Sequence, residues 1–376
     1  MNDTVFNFKA ERVPHPDLWQ RPPEFDLWER LKGTAQPILL YGMGNGGDKM
    51  LAVLEKKGIP VSGVFASDGF ARGNLFHGMP VTTYTQAKER FGKFTVLLSF
   101  ATSRDEVLEN IRRIASEQTL LIPDLPVIGE NLFDCAFFST HFEELQKARA
   151  LFADERSREV FDLIVNAKLT GKLCYLEEGT STPEEDFETI LHPEDFLVSG
   201  DFGAYNGDTA LDLLKRAPHI QKIVALEPDP KTFLKLQKNT ADLQVKAVHG
   251  AAWREDTSLL FTASGGRGAG VGTVGKKTAE IPAYAPDGLF EREERVDYLK
   301  YDVEGAELDA LEGSRRLLEE SRPRLLVSCY HRPEDLFLLP LWLKNHFPFY
   351  KLYLRRHKGI PAWDINLYAI ADERKI

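Results

Sequence analysis

The chain is 376 residues long, 43% hydrophobic and 28% charged, with a formal net charge of −10 at pH 7. That length and apolar share support two globular domains with real cores, and the acidic balance argues against a nucleic-acid backbone or an anionic membrane as the main partner. Its three cysteines, Cys135, Cys174 and Cys329, are scattered without metal-ligand spacing and fit a reducing compartment.

Met1–Val5 lack the basic start and apolar core of a secretory leader, and no apolar run reaches spanning length, so a cytoplasmic location is expected. Residues 1 to about 34 are rich in proline and aromatics (Pro14, Pro16, Trp19, Pro22, Pro23, Trp28) and read as an arm with one short helix. A small α/β pattern follows. Strands are expected at Pro37–Tyr41, Ile59–Phe65, Phe94–Phe100 and Leu120–Ile122, with a helix through Met50 and Leu54 and another over Glu106–Ala115. The loop Gly42-Met43-Gly44-Asn45-Gly46-Gly47 only approximates a dinucleotide fingerprint. Gly42, Gly44, Gly46 and Asp68 would make a nucleotide site; otherwise the domain serves docking or dimerisation. From about Pro123 the pattern turns helical, with helices at Phe142–Phe152 and Ser157–Leu169 and with Asp154 and Ser157 as caps. The expected organisation is therefore an arm and Rossmann-like domain over 1–125, a helical connector over 126–192, and a second domain over 193–376.

That second domain opens on Val198-Ser199-Gly200-Asp201-Phe202-Gly203-Ala204-Tyr205-Asn206-Gly207-Asp208-Thr209, a strand end and glycine turn before a helix striped with Ala210, Leu211, Leu213 and Leu214. The next strand ends in Glu227-Pro228, where a doubly wound fold places an acid for ribose hydroxyls. Turn and acid together read as a site for a nucleoside-containing cofactor. Strands are expected at Phe196–Val198, Lys222–Leu226, Val245–His249, Tyr298–Tyr301, Leu325–Cys329, Tyr350–Arg355 and Ile365–Ile370. Helices should separate the first five, making them parallel. Only Arg356 to Asp364 separates the last two, so they should pair antiparallel. Five parallel strands closed by such a hairpin form the sheet of class I S-adenosylmethionine-dependent methyltransferases.

Specific motifs narrow this. Asp201 to Thr209, Leu226-Glu227-Pro228-Asp229-Pro230, Leu299-Lys300-Tyr301-Asp302-Val303-Glu304-Gly305-Ala306-Glu307, Leu311-Glu312-Gly313-Ser314 and the strand ending at Cys329-Tyr330-His331 occur in this order. Over about residues 191–376 the chain resembles the FkbM family of methyltransferases, and the half before it resembles an accessory arrangement of some members. The resemblance implies S-adenosyl-L-methionine as cofactor, held by Asp201, Gly203, Ala204, Tyr205, Asn206, Gly207, Thr209, Glu227, Pro228 and Asp302. Tyr205 stands where many methyltransferases carry a middle glycine.

Lys300, Asp302 and Glu304 alternate onto one face of a strand at its carboxyl end, a costly place for charge unless it is paired or used. Asp302 is the expected contact for the methionine end or the acceptor. Glu307 reads as an acid in the first turn of a helix. His331, at the rim of the neighbouring strand, reads as a base for an acceptor hydroxyl or as a capping residue. Asp302, Glu304 and His331 have ligand chemistry for magnesium or manganese, yet without a spacing motif no metal is expected. Gly270–Thr278 nearly spells a phosphate loop, but Lys277 stands where Ser or Thr is required; Leu259 to Pro286 reads instead as a glycine-rich ribbon or flap over the acceptor site, with Arg267, Lys276 and Lys277 as solvated charges or, alternatively, contacts for an anionic substrate. The expected activity is O-methylation of a small-molecule or glycan-type acceptor such as a sugar or secondary metabolite, with a homodimer through the first domain as the partner arrangement. The rivals are an NAD(P)-dependent sugar-nucleotide oxidoreductase, which would lack an evident Tyr-x-x-x-Lys dyad, and a non-catalytic binding protein on the same scaffold.

Overall fold

The computed structural model describes residues 18–19, 26–67, 69–71, 73–262, 270–271 and 278–371. Asp68, most of the proline-rich arm, and Gly265, Gly266, Arg267, Gly268, Gly272, Lys276 and Lys277 lie outside them. The chain divides into two compact units. The first takes the chain up to Leu125 with Phe133–Gln146 and Leu163–Glu178; the second takes Pro126–Leu132, Lys147–Asp162 and Gly179 onward. The stretch expected to be a connector is therefore shared between the two.

In the first unit the strands are β1 (Ile38–Tyr41), β2 (Gly63–Ala66), β3 (Leu75–Phe76), β4 (Met79–Thr83), β5 (Thr95–Leu98) and β6 (Thr119–Leu121), ordered β3-β4-β2-β1-β5-β6. All neighbours are parallel except β3 with β4. β1 and β5 are buried along their whole length, as expected of strands covered on both faces. Asp26 caps the short helix Leu27–Lys32 by accepting from the N–H groups of Trp28 and Glu29. Gly44 (φ 94°) precedes helix Asn45–Lys56, and Gly46 lies so close to Ser99 that a Cβ there would stand 2.1 Å from its carbonyl oxygen. These glycines thus serve close packing of loop on strand. A cavity of about 60 Å³ bounded by Tyr41, Ser67 and Asn110 lies below the few hundred Å³ of typical ligand pockets.

The second unit holds β7 (Val198–Phe202), β8 (Lys222–Glu227), β9 (Val245–His249), β10 (Ala251–Ala252), β11 (Thr257–Thr262), β12 (Gly270–Val271), β13 (Thr278–Tyr284), β14 (Tyr298–Tyr301), β15 (Arg324–Ser328), β16 (Tyr350–Arg356) and β17 (Ile365–Ala371). Seven of them form one sheet in the order β16-β17-β15-β14-β7-β8-β9. β17 pairs antiparallel with both β15 and β16, and the other pairings are parallel. This is the class I methyltransferase sheet, with the last strand inserted beside the fifth. Helix Asp208–Arg216 buries Ala210 and Leu213 in a cluster with Phe196, Ile223, Tyr298 and Tyr368. Each large side chain buried there contributes about 2 kcal/mol. Phe196 and Tyr298 stack with ring centroids 5.3 Å apart.

Two expectations shift. The opening strand begins at Val198 and runs on through Phe202, because Ser199, Gly200 and Asp201 pair with β8 on one side and β14 on the other. Between β9 and β14 the crossover is a second sheet, ordered β10-β13-β11-β12, rather than a helix. Its antiparallel pair β11 and β13 bury Phe261, Ile281 and Ala283 with Ala251, so the ribbon has a small core of its own. Among the described residues no helix is long and apolar enough to cross a membrane.

Candidate active site

The carboxyl ends of β7, β8, β14 and β15 carry nearly every polar group singled out above, at the edge where open α/β sheets bind ligands. Leaving β7, the chain makes a tight bend: the N–H groups of Gly203 and Ala204 both donate to the Leu226 carbonyl, at 3.0 and 2.8 Å. Gly203 has φ +84°, and a Cβ there would stand 1.8 Å from the Asp302 carbonyl oxygen. Only glycine fits, and Gly203→Ala is expected to cost about 3 kcal/mol or more. A urea titration with an unmoved midpoint would refute that close approach. Tyr205, in the place of the common middle glycine, takes φ +47° with an exposed ring, a strain of about 1 kcal/mol that the bend absorbs. Gly207 (φ +90°) leads into helix Asp208–Arg216, and Asn239 Nδ2 donates to the Asn206 carbonyl at 2.8 Å.

Glu227 ends β8 only 7% exposed. Its two oxygens accept from the N–H groups of Tyr205 (3.0 Å) and Asp229 (2.8 Å), tying the bend to the second strand. Burial pushes this carboxyl up to about 7, with those two N–H groups pulling the other way. Pro228 presents its carbonyl to His249 Nε2 at 3.1 Å. Asp201 is buried and engaged: Oδ2 accepts from the Thr209 hydroxyl at 2.5 Å and Oδ1 from Lys300 Nζ at 3.1 Å. Lys300 also reaches the Gly203 carbonyl at 3.3 Å. Burial opposes the lysine's charge, but Asp201 and Asp302 overcome it and raise its pKa. Asp201, Thr209 and Lys300 therefore brace the bend from beneath.

His331 is fully buried. Its Nδ1 lies 2.9 Å from Glu307 Oε1, and its Nε2 lies 3.5 Å from Asp302 Oδ1 and 3.6 Å from Glu304 Oε2. Burial disfavours the imidazolium, yet Glu307, then Asp302 and Glu304, raise its pKa to about 10. The expectation of an accessible base does not fit this setting: the ring is shielded from solvent and already charged at neutral pH. Asp302 is a third exposed, and Tyr330 donates its hydroxyl to Oδ1 at 3.3 Å. Burial works against its charge, while Lys300 and His331 hold its carboxyl below the usual range.

Glu307, read from sequence as a first-turn helix acid, is 1% exposed. Oε1 accepts from the N–H groups of Val303 and Gly305 at 3.0 and 3.3 Å, closing the turn that leaves β14. The i, i+2, i+5 spacing of Asp302, Glu304 and Glu307 carries the signal for this cluster, since all three meet one histidine. Nearby, Asp335 Oδ2 accepts from Arg332 N at 2.9 Å, and burial with Glu307 beside it pushes that carboxyl up to about 7. A cavity of about 260 Å³ opens next to the cluster, lined among others by Ile128, Asn131, Gly305, Leu308 and Arg332.

A family model described as the methyltransferase FkbM domain matches residues 201–358, a span from Asp201 through Glu227, Asp302 and His331. Among solved structures, the methyltransferase FkbM from Methylobacillus flagellatus KT is 20% identical with a TM-score of 0.68, covering 91% of this chain and 92% of that one. The likeness in fold thus extends into the first unit. The precorrin-6y C5,15-methyltransferase from Geobacter metallireducens GS-15 is 16% identical over 48% of this chain and 84% of its own, with a TM-score of 0.33. No curated protein matches the chain.

Proposed function

We propose that this chain, which carries a methyltransferase FkbM domain over residues 201–358, moves the methyl group of S-adenosyl-L-methionine onto a hydroxyl of a small-molecule or glycan-type acceptor. The observation that carries the reading is the buried Glu227 carboxylate set against the Gly203–Gly207 bend. A carboxylate holding only two backbone N–H groups retains acceptor capacity for two ribose hydroxyls, and burial makes each such bond count for more. Gly203, Ala204 and Gly207 keep the approach free of bulk, with Tyr205, Asn206 and Pro228 at its rim.

The bound donor would supply an electrophilic methyl on a sulfonium, displaced in line. Positioning and proton removal are left to the protein. Asp302 suits that end of the site. Its backbone abuts Gly203, its side chain is partly open, and its lowered pKa keeps it ionised to orient an acceptor hydroxyl. His331, charged and enclosed, positions Asp302 and Glu304 rather than taking the proton itself. The 260 Å³ cavity beside Gly305 and Arg332 is the space assigned to the acceptor, its mixed lining of Asn131, Arg332, Ile128 and Leu308 fitting a polar molecule with an apolar face.

Calorimetry on the full chain is expected to show one S-adenosylhomocysteine bound per chain and no heat with NAD or NADP. Radiolabelled donor should then pass its methyl to hydroxyl-bearing acceptors in a metabolite extract. Absence of binding at millimolar S-adenosylhomocysteine would end this reading.

A further inference from the structure

We propose that Asp302, Glu307 and His331 form a site for a divalent cation, of the oxygen-rich kind that suits magnesium or manganese. Its catalytic role rests on the methyl-transfer reading above; its existence does not. One ligand atom from each of the three lies within 4.8 Å of the others. Two of the residues are almost wholly enclosed, His331 at 0% and Glu307 at 1% exposure, and both keep unused polar atoms. Neither ring nitrogen of His331 has a hydrogen-bond partner of acceptable geometry, and Glu307 Oε2 has none either. Buried polar atoms left in this state cost about 1–3 kcal/mol each, so an arrangement that tolerates them calls for a ligand.

The distances agree. The ring stands 3.5 Å from Asp302 Oδ1 at Nε2, too long for a good hydrogen bond, and 2.9 Å from Glu307 Oε1 at Nδ1. With bonds of about 2.1 Å, neighbouring ligands around a divalent ion sit about 3.0–3.5 Å apart. Two carboxylates and one imidazole, which gives up its ring proton as the ion binds, match a hard cation better than a soft one. Asp302 and Glu304 are each about a third exposed, so the cluster is sealed on the histidine side and open on the other. An ion held there would have coordination positions free toward the acceptor space, where it would lower the pKa of a coordinated hydroxyl and remove the need for a histidine base.

The test uses the full chain stripped with EDTA and titrated with Mn²⁺, free ion being followed by electron paramagnetic resonance. One Mn²⁺ per chain is expected, with Kd below about 1 mM. Asp302→Asn and Glu307→Gln should each weaken it at least tenfold. Thermal unfolding of the metal-free Asp302→Asn protein checks that the fold persists. No uptake at several millimolar Mn²⁺, or equal uptake by wild type and both variants, overturns the site. S-adenosylhomocysteine binding in the same stripped samples separates the two proposals: donor binding without Mn²⁺ uptake removes the cation site alone, and Mn²⁺ uptake without donor binding supports the cation site and removes the donor reading.

Discussion

Glu227→Ala should weaken S-adenosylhomocysteine binding at least 100-fold while the chain stays folded. Two hydroxyls donated to an ionised carboxylate contribute about 1.5–3 kcal/mol each, and every 1.4 kcal/mol is a factor of ten. The fold survives because this carboxyl contributes little to it at neutral pH. Its pKa rises from 4.5 to about 7 on folding, so whatever stability it contributes is present below 4.5 and is lost as the pH climbs through 7. The same shift makes binding pH-dependent. The diol needs both oxygens as acceptors, so the donor selects the ionised form and expels a proton below the folded pKa. Affinity should rise by nearly tenfold per pH unit from about 5 toward 7 and level off above it. Calorimetry from pH 5 to 9 checks this, and Glu227→Gln should flatten the profile. A flat profile for the wild type, or full affinity in the alanine variant, would remove Glu227 from the ribose.

How much of this was legible beforehand depended on whether a residue's partner lay nearby in sequence. The acid after the second strand and the glycines before the helix were readable because their roles are set by local geometry: a strand end, a positive φ, a helix start. The closing hairpin was readable from loop length alone. Ser199 and Gly200 were not, since as turn formers they suggest a loop, and only pairing with β8 and β14 makes them strand. The same holds for the charges. Lys300, Asp302 and Glu304 were seen to share a costly position, but Lys300 finds its partner 99 residues earlier, and Glu307 meets His331 across two strand ends. Local rules describe a first-turn acid well and have no means of seeing a histidine that arrives from the next strand. The crossover after β9 escapes for a related reason: Leu259-Leu260-Phe261 is a short apolar run inside a glycine-rich stretch, and nothing local says which sheet receives it.

Lys300→Met carries the largest expected effect on stability, about 3–5 kcal/mol by urea unfolding at pH 7. Lys300 and Asp201 are direct register partners on β14 and β7, and neither is more than 9% exposed. With the ammonium gone, Asp201 Oδ1 is left buried as an unpaired charge, and the Thr209 hydroxyl on Oδ2 is too weak to replace it. The Gly203 carbonyl loses a donor at the same time, so the bend itself should loosen. S-adenosylhomocysteine affinity is therefore expected to fall in this variant even though Lys300 is assigned no contact with the donor. The raised lysine pKa fixes the pH window. Its contribution is whole below 10.5 and is lost as the pH rises through the higher folded value, so the wild type should keep the pair's full benefit throughout the neutral range. Adding Asp201→Asn to Lys300→Met removes the stranded charge and should restore most of the lost stability without restoring donor affinity. A loss below about 1 kcal/mol in the single variant would mean that water, not Lys300, satisfies Asp201, and the bend would then need another support.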